Sequence, residues 1–134
     1  MAHSYVSFRD REIHLKDVDL IPIMALVLEE SNTSHALSLN ILKLMEQWRS
    51  TLSGYAPGCI NCELDQHVTD ADSIGQLLIL FEKVEIRIQK SGEKMPANEV
   101  SALATDTMIK YFDDYPTLAM NSTLGKIKGL LLEV

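Results

Sequence analysis

Cys59 and Cys62 are followed by His67 and Asp72 in the order Cys-x2-Cys-x4-His-x4-Asp. Thiolate, imidazole and carboxylate all bind zinc, and this is the spacing of a zinc knuckle with Asp72 in place of the fourth cysteine. Context argues against that use. Zinc knuckles usually serve nucleic acid, yet no Lys or Arg lies near this segment, and Asp72 suits the start of a helix. A redox Cys-x-x-Cys pair would open a helix that follows a strand, where the helix dipole lowers the thiol pKa. Here Glu63 and Asp65 flank the pair instead, and carboxylates raise a thiol pKa. The plainest reading makes Cys59 and Cys62 reduced, partly buried loop residues behaving as small hydrophobes.

Other catalytic patterns are missing. Asp70 and Asp72 begin like a calcium loop with Gly75 at its sixth position, but Ile74 and Phe81 occupy positions that need oxygen ligands. His3, His14, His35 and His67 lack the i, i+4 pairing of a helical metal site, and Gly54 and Gly58 lack the Lys-Ser or Lys-Thr of a phosphate loop. Ser53 and Ser91 lack a nucleophile context, and Asp113-Asp114 reads as a solvated pair in a turn. No enzyme activity and no cofactor are expected.

Charge is more informative. The formal net charge is −7, and between Arg49 and Lys83 there is no Lys or Arg at all, while Glu63, Asp65, Asp70, Asp72 and Glu82 fall in that stretch. Such a one-signed segment attracts cations or a basic partner and repels nucleic acid. Asp113-Asp114-Tyr115 forms a second acidic turn. Tyr115 there, and Tyr55 beside the first acidic segment, are aromatics of the kind that anchor interfaces. Lys83, Arg87, Lys90 and Lys94 recur at helical spacing with Glu82 and Glu85 interleaved, the pattern of a salt-bridged, solvated face.

These residues need a scaffold. At 134 residues with 46% hydrophobic content the chain is expected to form one domain over residues 1–134, mostly α, a bundle of about five helices with a short N-terminal β-hairpin. Val6 and Phe8, then Ile13 and Leu15, alternate about a possible turn at Arg9-Asp10-Arg11. Asp17 or Asp19 caps a first helix, with Pro22 in its first turn, and Leu20–Leu28 is apolar all round and therefore buried. Ser31–Ser34 breaks that helix and offers the next cap. Leu37, Ile41, Leu44, Met45, Trp48 and Leu52 line the second. The third starts at a capping box in Thr69–Asp72, buries Ile74, Leu77, Leu78, Phe81, Val84 and Ile88, and stops at Gly92. A fourth, after Pro96, is expected to bury Val100, Leu103, Ala104, Met108 and Tyr111. Thr117 caps the last, with Met120, Leu124, Ile127 and Leu131 inward, and the methionines are expected to be mostly core filler. The N-terminal residues have neither the basic nor the apolar region of a signal peptide. No apolar run approaches the roughly 20 residues of a membrane span, so a cytoplasmic protein is expected.

Phe8-Arg9-Asp10-Arg11-Glu12-Ile13-His14-Leu15 and Tyr55-Ala56-Pro57-Gly58-Cys59-Ile60 resemble stretches of small bacterial immunity proteins, which are encoded beside polymorphic or contact-dependent growth-inhibition toxins. The resemblance implies a stoichiometric inhibitor that covers a toxin domain in the cytoplasm, often a nuclease with a basic active site. It assigns no residue. The leading expectation is an acidic protein-binding module that neutralises a basic cognate toxin through Glu63, Asp65, Asp70, Asp72, Asp113, Asp114, Tyr55 and Tyr115. The alternatives are a metal-binding or enzymatic domain at Cys59, Cys62 and His67, and a homodimeric structural or adaptor protein.

Overall fold

Alternation of polar and apolar residues makes the first two elements strands. The computed structural model describes residues 2–132, in which β1 (His3–Phe8) and β2 (Arg11–Lys16) pair antiparallel with Val6 opposite Ile13 and Phe8 opposite Arg11. Arg9 and Asp10 both adopt positive φ (49° and 67°), as a two-residue turn requires if it is to match the twist of its strands. Two supports hold this unusual non-glycine turn. Asp65 accepts a hydrogen bond from the Arg9 backbone N–H (2.9 Å), and the Arg9 guanidinium lies 5.0 Å from the centre of the Phe8 ring. A lone hairpin is marginal in water. This one buries Val6, Phe8 and Leu15 in the common core.

Six helices follow, mostly α as the hydrophobic spacing predicts: α1 (Asp17–Asn32), α2 (Leu39–Ser53), α3 (Leu64–His67), α4 (Ala71–Lys90), α5 (Ala97–Leu103) and α6 (Thr117–Leu132). Two-residue strands β3 (Lys94–Met95) and β4 (Tyr115–Pro116) pair between the last helices. Every residue of Leu20–Leu28 is buried, so α1 is the axis on which α2, α4, α5 and α6 pack.

Several boundaries differ from the expectations. Asp17 does not cap α1: the N-cap is Lys16, without a side-chain bond, and Asp17 is turned into the interior. Pro22 lies in the second turn, where it removes the N–H that would bond to the Val18 carbonyl. The Tyr111 hydroxyl donates to that carbonyl instead, at 2.6 Å. The cap of α2 is Ser38, not a residue of Ser31–Ser34. The capping box of α4 sits one residue later than expected, between Asp70 and Ser73, because Ser73 can both donate to and accept from the cap. Thr117 is the first residue of α6, and its hydroxyl donates to the Gly92 carbonyl.

The largest difference is the fourth expected helix. Its helical period runs on to Tyr111, yet α5 ends at Leu103 and gives way to a 3-10 turn over Thr105–Thr107. The Thr105 and Thr107 hydroxyls donate to the carbonyls of Ala102 and Ala104, both at 2.7 Å, local bonds that compete with helix continuation. Met108 then takes positive φ (64°) and is 89% exposed, so it is not the core residue its spacing suggests. Met24, Met45, Met95 and Met120 are buried as expected.

Candidate functional site

The loop that carries the cysteines is a clasp. Ala56-Pro57-Gly58-Cys59 closes with Cys59 N–H donating to the Ala56 carbonyl (3.1 Å), Pro57 second and Gly58 third at φ +75°. Those are the residues and the sign of φ that a type II turn demands. The turn aims the Gly58 N–H at Asp17, whose Oδ2 accepts it at 2.8 Å and also accepts the Tyr55 hydroxyl at 2.8 Å. Oδ1 of Asp17 accepts the Ser4 hydroxyl at 2.6 Å, and Ser4 Oγ in turn accepts the Ile60 N–H at 3.1 Å. Asp17 and Ser4 are each 1% exposed. One buried carboxylate thus joins β1, α1 and the loop. Burial first, and then the Asp17 carboxylate, push the Tyr55 phenol up to about 12, so it stays a donor at neutral pH.

Further along, the Trp48 indole N–H donates to the Cys62 carbonyl (2.8 Å), and Glu63 turns the chain through positive φ into α3. Cys62 is buried and its thiol is pushed up to about 12 by desolvation, whereas Cys59 is exposed. The two sulfurs therefore lie in different environments. Among the described residues no three His, Cys, Asp or Glu side chains gather as a metal ion would need. Cys59, Cys62, His67 and Asp72 do not assemble the zinc set that their spacing allows.

The acidic residues of this segment are drawn into the fold in the same way. Asp65 holds the hairpin turn, and Asp72 accepts from the Gln76 side chain at 3.0 Å. Asp70 caps α4, and its bonds from the Ser73 hydroxyl and N–H hold its carboxyl below the ordinary range. All three are exposed and Glu63 is half-buried, so this edge remains negative even though three of its acids have internal work. Among the described residues the two ion pairs of the Lys83–Lys94 series reach other helices rather than joining its bases to the interleaved acids. Arg87 pairs with Glu29 of α1 (2.7 Å), while Glu85 pairs with Lys128 of α6 (2.6 Å).

The second acidic turn is built differently. Tyr111 is fixed three times: its N–H donates to Ser101 Oγ (2.8 Å), its carbonyl accepts from the same hydroxyl (3.2 Å), and its own hydroxyl reaches Val18. Asp114 Oδ1 accepts the Ala97 N–H at 3.0 Å, serving as a remote cap for α5. The Tyr115 hydroxyl donates to Asp19, and the Tyr111 and Tyr115 rings meet edge-on at 5.8 Å. Burial raises the Tyr111 phenol, with the Asp19 charge adding to it; burial also raises the Asp19 carboxyl, opposed by Lys16, Lys126 and His3.

Between these anchored residues stand Phe112 and Asp113. Phe112 is 90% exposed, and Asp113 is exposed without a hydrogen bond or ion pair among the described residues. Met108 projects from the same loop, beside a depression of about 370 Å³ that Ser101, Thr105, Ile109 and Lys110 help to line. The aromatic presented to solvent in this turn is therefore Phe112, while Tyr115 and Tyr55 are half-buried with their hydroxyls engaged. Sequence reasoning passed over Phe112. The available signal was a phenylalanine beside two aspartates and off every buried stripe.

Compared with protein-family models, curated proteins and solved structures, the chain has no match.

Proposed function

We propose that this chain is an acidic protein-binding module that docks through the Phe112–Asp113 tip onto a basic protein surface. The observation that carries the reading is a bare aromatic on the two-residue tip Phe112–Asp113, which the anchored Tyr111 and Asp114 flank. Interfaces concentrate their energy in a few aromatic and charged residues, and a loop whose backbone is anchored on both sides of the tip loses less freedom on binding than a free one. Asp106, Asp113 and Asp114 lie in the same loop against one nearby cation, Lys110, and the net charge of −7 favours encounter with a basic partner.

Joined to the resemblance of the hairpin and of the Tyr55–Ile60 stretch, this surface fits a cytoplasmic immunity protein. Its partner would be the toxin domain encoded beside it, of nuclease type and basic, and it would act by occupying that site at one-to-one ratio. Titration into the active toxin domain should remove activity linearly with an end point at equivalence. Complete inhibition at a small fraction of equivalence, or no inhibition at excess, would overturn the reading.

A further inference from the structure

α4 has a second exposed feature, on the side away from its buried stripe. Ile79 and Ile86 are 54% and 53% exposed and lie seven residues apart, about 10.5 Å along the helix. With Lys83 and Lys90 they form a stripe at steps of four, three and four residues, the spacing along which helices pair. The segment after α1 runs beside this stripe and makes it a furrow. One depression of about 260 Å³ is lined by Leu37, Ile79, Leu80 and Lys83, with Ser34 and His35 at its edge. A second, of about 290 Å³, is lined by Glu30, Lys83, Ile86, Arg87 and Lys90. Lys83 lines both, so the two depressions are neighbours along α4.

Two bonds fix the flanking segment beside α4: the Ser38 N–H donates to Gln76 Oε1 (2.7 Å) and Lys83 Nζ donates to Ser34 Oγ (3.0 Å). The furrow's charge is opposite to that of the whole chain. Lys83, Arg87 and Lys90 outnumber Glu30 and the Glu29 that pairs with Arg87, and Lys90 has no hydrogen bond or ion pair among the described residues. No Phe, Tyr or Trp lines it for base stacking, and its apolar residues sit at helix spacing.

We propose that this furrow is a docking site, separate from the Phe112 tip, for an acidic amphipathic helix of a protein partner. Apolar side chains at i and i+7 of that helix would cover Ile79 with Leu37 and, one depression further on, Ile86, and flanking Asp or Glu would meet Lys83 and Lys90.

The test is fluorescence anisotropy with the full chain and a labelled synthetic helix of roughly 18 residues, long enough to hold its form. The probe carries Leu at the seam positions and Glu and Ala elsewhere; its control has Lys for every Glu. Saturable binding of the Glu helix is expected, weakening with added salt. Ile79→Ser/Ile86→Ser and, separately, Lys90→Glu should each weaken it about tenfold, with unchanged circular dichroism, whereas Phe112→Ala should bind as wild type. No saturable binding, equal binding of the Lys helix, or full affinity in both furrow variants would overturn the proposal. So would a dimer in sedimentation that the Ile79→Ser/Ile86→Ser variant loses, since the furrow would then belong to a second copy.

Discussion

Asp17 is the residue whose removal tests the clasp most severely. Its carboxylate accepts three hydrogen bonds at 2.6–2.8 Å, from Ser4, Tyr55 and Gly58, while being 1% exposed. Asp17→Ala deletes the acceptor and leaves all three donors behind. Gly58 is exposed and Tyr55 half-buried, so water can replace two of the lost bonds, but Ser4 is closed off. Losing bonds to a charged group and orphaning a buried hydroxyl together cost about 3–5 kcal/mol. Asp17→Asn keeps the shape. Its carbonyl can serve Tyr55 and Gly58 while its amide donates to Ser4 Oγ, so only the Ser4 hydroxyl loses its acceptor, at about 1–2 kcal/mol. Against a total stability of roughly 5–15 kcal/mol, the alanine variant should be visibly fragile. Urea denaturation followed by far-ultraviolet circular dichroism gives both values, provided the m-value is unchanged. An alanine variant within about 0.5 kcal/mol of wild type, or an asparagine variant as damaged as the alanine one, would refute this account.

Three further outcomes are expected. Tyr111→Phe orphans the Val18 carbonyl and should cost about 1–2 kcal/mol in urea denaturation, and less in a Pro22→Ala background, where the restored N–H can reach the same carbonyl. Asp70 has a lowered carboxyl pKa in the folded state, so its contribution is present above its unfolded value of 3.8 and fades as pH falls through the lower folded value. The melting-temperature gap between wild type and Asp70→Ala should accordingly be full at pH 7 and close in strong acid. Iodoacetamide at pH 8 should add one label to the native protein, on exposed Cys59, and a second only in urea, because Cys62 is buried with its thiol pushed up to about 12; mass spectrometry counts the labels.

Hydrophobic spacing made the long elements legible. Most residues in the stripes of α2, α4 and α6 are buried, although Leu37 precedes α2, Ile74 and Leu78 are only half-buried and the buried Leu80 lies off the predicted stripe. Leu20–Leu28 announces the central helix because no amphipathic surface helix is apolar all round. Periodicity alone missed features decided by single hydrogen bonds. Thr105 and Thr107 end a helix whose apolar spacing continues, Ser73 moves a cap by one residue, and four-residue α3 is too short to show a period. For the same reason the acidic segment reads as a free surface until the donors that bind Asp65, Asp70 and Asp72 are located. Which of Tyr55, Tyr115 and Phe112 faces solvent depends on where the hydroxyls find acceptors, and those acceptors, Asp17 and Asp19, are distant in sequence.

The central claim is that binding runs through the Phe112 tip, and surface plasmon resonance against the proposed partner, a basic toxin domain, tests it most directly. Burying a phenylalanine is worth about 1.5–3 kcal/mol, so Phe112→Ala should weaken the complex roughly 10- to 150-fold, mainly through faster dissociation. Asp113→Lys should instead slow association, with a difference that shrinks as salt is added. If Phe112→Ala binds with wild-type affinity while remaining folded, the docking surface lies elsewhere and the account is contradicted.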